Sequence, residues 1–319
     1  MRLFSLGMIL IAFFATSAAN MVQAETLRVM SFNIYGGGAN DGKDINETVA
    51  AIKAVNPDII GIQETRIQAE VCTADVCPAS GTSVAAAIAA ALGYSYYDQT
   101  QENVTLWANA VISRYPIGEP SANDLGVPID VNGKLVWIFN IHLDDSPYQP
   151  YQLLNIEYGE APFLKTGPEA EAFALATRGP AMDLLFSDMD TVKDATAIFV
   201  TGDFNEPGYL DWTAETVAKG THPNVVMWPT TKRLADAGFI DTYRAVYADP
   251  VAKPAFTWTP TYDEAATDDH PDRIDFIFAR GAGLIISDAA IVGEDGLRSD
   301  IKVSPWPSDH RATLVEVSF

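Results

Sequence analysis

Short apolar runs rich in β-branched residues alternate along the chain with stretches whose apolar positions recur at helical spacing. Leu27–Ile34 predicts a strand and Ile45–Val55 a helix, and Pro57-Asp58 then leads into Ile59–Ile62, a short buried strand. Val84–Leu92 predicts an alanine-rich helix stopped by Gly93 as its C-cap. Leu106–Ser113 and Leu135–Leu143 predict strands, and Glu169–Phe186 is the longest helical pattern. Ala197–Thr201, Arg273–Phe278, Leu284–Val292 and Ala312–Val317 make the second half strand-rich. No repeat, low-complexity tract or linker interrupts this order, so residues 25–319 are expected to form one α/β domain.

Residues 1–24 have a different pattern. Arg2 is a charged start, Leu3–Phe14 an apolar stretch, and Val22-Gln23-Ala24 a cleavage site with small residues. The apolar run is shorter than the ~20 residues needed to span a bilayer, so a secretory signal is expected rather than a membrane anchor. The mature protein is then expected to be exported, to the periplasm or beyond the cell, and to have no membrane span. Cys72 and Cys77 lie in a polar loop and are expected to pair in that oxidising compartment. Zinc is the alternative, and it would need two further ligands.

Composition narrows the partners. The chain has 319 residues, 48% hydrophobic and 19% charged, which suits a folded domain with a large core. Twenty Lys+Arg face 42 Asp+Glu, a net charge of −22, so broad affinity for nucleic acid or anionic membranes is not expected. An acidic enzyme can still meet a phosphate through a bound cation, which reverses the local field. Oligomeric state is not legible from the sequence.

Polar residues recur where the apolar runs end: Asn33, Glu64, His142, Asp203, Asn205, Asp275, Asp309 and His310. Strand ends in layered α/β folds open onto a shared crevice where ligands gather. Taken singly, each has a bland reading as a cap or turn residue. Together, in order, Ser31-Phe32-Asn33-Ile34, Ile62-Gln63-Glu64-Thr65, Asn140-Ile141-His142-Leu143, Gly202-Asp203-Phe204-Asn205, Arg273-Ile274-Asp275-Phe276 and Ser308-Asp309-His310 form a family pattern, joined by Asn109–Pro116. The chain resembles the endonuclease/exonuclease/phosphatase (deoxyribonuclease-I-like) family, which includes pancreatic deoxyribonuclease, apurinic endonucleases, bacterial sphingomyelinases and inositol polyphosphate 5-phosphatases. The resemblance implies a four-layer α/β/β/α sandwich of two packed mixed β-sheets flanked by helices.

It also implies direct hydrolysis of a phosphoester by water. Asn33, Glu64 and Asp309 would hold or support the metal, and oxygen ligands suit Mg²⁺, with Mn²⁺ or Ca²⁺ as alternatives. Asp275 would orient His310 as general base, with Asp203 as the rival base. Asn205 would donate to a phosphoryl oxygen, and His142 would stabilise the transition state or protonate the leaving group.

The substrate is less legible. Asp144, Asp145, Tyr148 and Tyr151 follow His142, and Trp212 follows the Gly-Asp-Phe-Asn motif, without Lys or Arg. Such a lining suits a sugar or a cationic headgroup better than nucleic acid. The plainer reading packs these aromatics inside. The leading expectation is a phosphodiesterase or phosphatase acting on a small phosphoester, followed by a secreted nuclease. A binding module without activity is third, since Glu64, Asp203 and His310 are all present. His222 and His270, each before a proline, are expected in surface loops, and the acidic run 263–269 as a solvated loop. Arg178, on the long helix, is read either as reaching a phosphate or as solvated.

Overall fold

A computed structural model describes residues 26–67, 82–100, 108–260, 263, 266–294, 296 and 298–319. The expected signal segment and both cysteines, Cys72 and Cys77, lie outside them.

Two mixed sheets form the centre. The larger has seven strands in the order β11-β10-β12-β1-β2-β4-β3. In chain order these are β1 (Thr26–Asn33), β2 (Ile59–Gln63), β3 (Ser95–Asp98), β4 (Ala110–Ser113), β10 (Ile285–Gly293), β11 (Ile301–Lys302) and β12 (Ala312–Ser318). The smaller has five, β5-β6-β7-β9-β8, comprising β5 (Gly126–Val131), β6 (Lys134–His142), β7 (Ala197–Asp203), β8 (Ile240–Asp241) and β9 (Asp275–Arg280). Helices α1 (Ile45–Val55) and α2 (Ala85–Leu92) cover the larger sheet, and α4 (Gly167–Met189) and α6 (Pro229–Asp236) the smaller. The implied four-layer sandwich is the observed fold. No helix among the described residues is long and apolar enough to cross a membrane.

Both faces of each sheet are covered, so the strands read as continuous apolar runs. Their two-residue period nevertheless sorts the side chains. Leu27 and Val29 of β1 meet Val136 and Ile138 of β6, Ala197 and Phe199 of β7, and Ile277 and Ala279 of β9 between the sheets. The alternate residues face the helices. Met30 and Phe32 pack with Ile52 of α1 and Ile88 of α2. Phe139, Val200 and Phe276 pack with Met182 and Leu185 of α4.

Helix ends follow local chemistry. Asp44 caps α1 by accepting from the Asn46 N–H at 2.8 Å, a contact worth about 1 kcal/mol. Thr166 and Glu169 form a capping box that starts α4. The short elements β3, β5, β8, β11, α3 (Gln149–Leu154), α5 (Ala214–Lys219), α6 and α7 (Thr242–Val246) were not legible in the pattern. Such lengths hold only a turn or two of periodicity, and tertiary contacts stabilise them.

Candidate active site

The inward parity that packs the two sheets continues to the strand ends, where the side chains become polar. On β6 it runs from Val136 and Ile138 to Asn140 and His142; on β7 from Ala197 and Phe199 to Thr201 and Asp203; on β9 it begins at Asp275. β6 and β7 pair in parallel with His142 opposite Asp203, and β9 runs antiparallel with Asp275 opposite Asp203. Three chemically active residues therefore stand in one row across the smaller sheet. On β1 the same parity runs Leu27, Val29, Ser31, Asn33, which aims Asn33 at that row from the larger sheet.

Asn33 bridges the two sides. Its Nδ2 donates to Asp203 Oδ2 at 3.0 Å and to Glu64 Oε1 at 2.9 Å, while its Oδ1 accepts from the Tyr35 N–H at 3.2 Å. Glu64 sits just past β2 in the left-handed region, φ 55°, where the chain turns out of the sheet. The Glu64 carbonyl accepts from the Gly36 N–H at 2.8 Å, which holds that turn. Asp203 Oδ1 accepts from the Asn205 N–H at 2.9 Å, so the carboxylate has fixed donors on both oxygens.

Ser308-Asp309-His310 reaches the same place from the approach to β12. The Ser308 hydroxyl donates to the Asn33 carbonyl at 2.7 Å and accepts from the His310 N–H at 3.1 Å. His310 Nδ1 then lies 2.9 Å from Asp275 Oδ2, and its Nε2 lies 3.6 Å from Asp203 Oδ2. His142 Nε2 approaches the same Asp203 oxygen at 3.7 Å. Burial disfavours the charged form of His310, but Asp275, Asp203 and Asp309 outweigh it and lift its pKa well above the ordinary value. The His310–Asp275 pair thus holds its proton to higher pH than a free imidazole.

Asp309 is half-buried beside this group. Burial, with Glu64 and Asp203 adding, raises its carboxyl to about 7 against the opposing pull of His310. A divalent cation would cancel that penalty, and the carboxylate oxygens of Glu64 and Asp309 fit a hard ion such as Mg²⁺, while Asn33 turns its amide nitrogen to Glu64 and orients it instead of offering an oxygen. Asp203, Asp275 and His310 also offer ligand atoms within 4.8 Å of one another.

A buried polar layer supports the row. Asn140 Nδ2 donates to the Ile62 and Ala110 carbonyls at 2.9 and 3.1 Å, and its Oδ1 accepts from Gln63 Nε2 at 2.6 Å and from the Thr201 hydroxyl at 3.1 Å. Gly61 is what lets the sheets approach here, because a Cβ would stand 2.0 Å from Thr201 Oγ1.

A pocket opens beside Asn205, lined by Asp145, Tyr148, Tyr151, Tyr158, Trp258 and Ile274. Each of its tyrosines donates its hydroxyl proton to a different aspartate: Tyr148 to Asp272 at 2.9 Å, Tyr158 to Asp145 at 2.7 Å, and Tyr151 to Asp269. Asn205 commits one amide hydrogen to the Leu143 carbonyl at 2.9 Å, which leaves the other for a ligand. Trp258, and Asp272 behind the pocket, had no signal in the sequence, since they come from segments distant along the chain from Tyr148 and Tyr151.

Several residues sit elsewhere than expected. Trp212 is fully buried against Trp228 and packs behind the pocket rather than on its wall. Asp144 is exposed and outside the pocket lining. Arg178 is not solvated. It is fully buried, donates to Gln149 Oε1 at 2.6 Å, and lies 3.8 Å from Glu206. His222 is buried rather than at the surface and His270 is half-buried: their rings face each other, Nδ1 to Nε2, at 3.0 Å. Arg273 of the Arg-Ile-Asp-Phe segment is structural, held between Asp211 and Asp241.

Comparison with known proteins gives the family and the fold. The chain is 27% identical over 317 residues to the uncharacterized Caenorhabditis elegans protein F14F9.5, covering 92% of this chain and 91% of that one. Its fold is similar to a crystal structure of an endonuclease/exonuclease/phosphatase from Beutenbergia cavernae, with TM-score 0.53 and 17% identity over 92% of this chain and 72% of that one. It is also similar to D. rerio TDP2 complexed with a single-strand DNA product, with TM-score 0.52 and 13% identity over 92% and 99% of the two chains. The model of the Endonuclease/Exonuclease/phosphatase family matches residues 30–310. With its sandwich and its strand-end polar row, the chain belongs to that family of metal-dependent phosphoesterases and nucleases.

Proposed function

We propose that this protein is an exported, Mg²⁺-dependent phosphodiesterase whose small substrate carries a compact cationic headgroup. The observation that carries the headgroup is the pocket beside Asn205. Its three tyrosine rings are phenols hydrogen-bonded to carboxylates, which makes them more electron-rich, Trp258 adds an indole face, and Asp145 adds negative charge. No Lys or Arg is among its lining residues. Aromatic faces with nearby carboxylates attract an ammonium and repel a polyphosphate backbone.

Held by Glu64 and Asp309 with Asn33 beside them, Mg²⁺ would supply neutralisation of charge on the phosphoryl oxygens. Asp203, oriented by Asn33 and by the Asn205 N–H, takes a proton from water, whose oxygen attacks phosphorus. His310 keeps its proton between Asp275 and Asp203 and donates from Nε2 to a phosphoryl oxygen. The free amide hydrogen of Asn205 adds a second donor. His142, next in the row, gives a proton to the departing oxygen as the phosphoester bond breaks.

The test is a panel with purified mature protein and Mg²⁺: glycerophosphocholine, a bis-nitrophenyl phosphodiester, and single-stranded and duplex DNA. Preference for the first in kcat/KM supports this reading. DNA cleavage that dominates at physiological salt establishes the nuclease reading instead, which the likeness to the DNA-complexed TDP2 keeps in view. Export rests on Arg2, Leu3–Phe14 and Val22-Gln23-Ala24. A secreted product beginning near Glu25 is its test.

A further inference from the structure

Behind the tyrosine pocket lies a second group of side chains with ligating atoms, separate from the catalytic row. His222, His270 and Asp272 offer ligand atoms that all lie within 4.8 Å of one another. His270 and Asp272 are two positions apart on an extended segment, where Asp272 pairs with Trp258, so both project to one side. His222 comes from the loop after α5 and is buried under Trp212, whose ring stacks on it at 4.5 Å and 14°.

Two features of this group call for a cation. Asp272 is buried, and among the described residues no ion pair includes it. Its partners are neutral donors, Trp212 Nε1 and the Tyr148 hydroxyl, both at 2.9 Å. The adjacent Arg273 is committed to Asp211 and Asp241. The second feature is the pair of imidazoles, with nitrogens facing each other at 3.0 Å. Zn–N bonds of about 2.0–2.1 Å at a tetrahedral angle place two nitrogens roughly 3.3 Å apart, so a few tenths of an ångström of opening would admit the ion. Burial lowers His222 to about 3 and His270 to about 4, which keeps both rings neutral with lone pairs to share.

We propose that His222, His270 and Asp272 bind a zinc-class divalent ion, with water in the fourth position. Two imidazoles and one carboxylate select this class over Mg²⁺ or Ca²⁺, which prefer oxygen throughout. The ion ties the loop after α5 to the segment that carries Asp272. Through the Tyr148–Asp272 bond it braces one wall of the pocket. Trp212 and Tyr148, hydrogen-bonded to the ligating carboxylate, are the outer support that such sites use to orient a ligand. This inference does not depend on which phosphoester the enzyme cleaves.

The experiment uses the full mature protein, stripped with chelator and held in excess Mg²⁺ so that the oxygen-donor site is filled. Titration with Zn²⁺ against a chromophoric chelator should show one equivalent bound per chain, and Co²⁺ should give the intense visible band of tetrahedral coordination. Glu64→Gln should retain both signals, and the double variant His222→Asn, His270→Asn should lose them. Tyr148→Phe should weaken Zn²⁺ affinity by about 10–100-fold, and it keeps the ring and its packing. If the double variant fails to fold, the wild-type Co²⁺ spectrum and Tyr148→Phe decide the matter. Absence of a tetrahedral Co²⁺ band in wild type, or Zn²⁺ affinity unchanged by Tyr148→Phe, overturns the proposal and leaves a hydrogen-bonded histidine pair.

Discussion

His310 Nδ1 lies 2.9 Å from Asp275 Oδ2, and on its other side His310 Nε2 faces Asp203 Oδ2 at 3.6 Å. One imidazole thus spans two carboxylates that are themselves opposite each other in the β7–β9 ladder. The sheet register sets the spacing between the acids, and the Ser308 hydroxyl sets the height of the histidine. The arrangement fixes the ring's orientation and holds a proton where a phosphate oxygen would lie.

Coupled action of this pair is the first expected outcome. His310→Ala should lower kcat by ~10²–10³-fold, the range for losing one donor that stabilises developing charge. Asp275→Asn should also lower it, and the double variant should be little worse than His310→Ala, because groups acting as a unit are not additive. Steady-state kinetics of the four proteins checks this. Losses that multiply would assign Asp275 to the fold instead.

The metal side should respond to pH. The Asp309 carboxyl is raised from 3.8 to about 7, so the folded state takes up this proton more readily than the unfolded chain. Its contribution to stability is present below about pH 4 and is lost as pH rises through about 7. Mg²⁺ binding displaces the proton, so the rise in Tm on adding Mg²⁺ should be small at pH 5 and larger at pH 8. Glu64→Gln should reduce that rise at both. Thermal melts with Mg²⁺ or chelator test it, and an Mg²⁺ shift independent of pH would remove Asp309 from the site.

Specificity should separate from chemistry at the pocket. Trp258→Ala and Asp145→Asn should raise KM for glycerophosphocholine while leaving kcat/KM for a bis-nitrophenyl diester nearly unchanged. Interactions equal in ground and transition state act on KM. Each cation–π contact is worth ~0.5–2 kcal/mol, so the expected change is a few-fold to about thirty-fold. Equal losses on both substrates would show that these residues support the fold.

The buried Arg178–Glu206 pair predicts a stability effect. Glu206 also accepts from the Thr230 N–H at 2.8 Å and the Thr230 hydroxyl at 2.7 Å. Glu206→Ala leaves the fully buried Arg178 guanidinium without its counter-charge and should cost about 3–5 kcal/mol. Replacing both residues with apolar side chains of similar volume should recover much of that loss. Denaturant unfolding of the single and double variants reads the difference.

The chain's alternation already contains the frame of this protein. Apolar runs with a two-residue period locate β1, β6, β7, β9 and β12, and the same parity carries Asn33, His142, Asp203 and Asp275 onto the inward face. A polar residue at the end of an apolar strand is a local signal, so these positions were legible one segment at a time. Contacts between distant segments were not. Arg178 lies on a helix whose pattern cannot distinguish a solvated arginine from one buried against Glu206, and Trp212 has the same neighbours in sequence whether it lines a pocket or packs behind one. His222 and His270 look like loop residues beside prolines, yet the chain returns after 48 positions to set their nitrogens 3.0 Å apart. Strand periodicity is written in neighbouring residues, whereas burial and pairing of side chains across loops depend on how the two sheets and their connections close on one another.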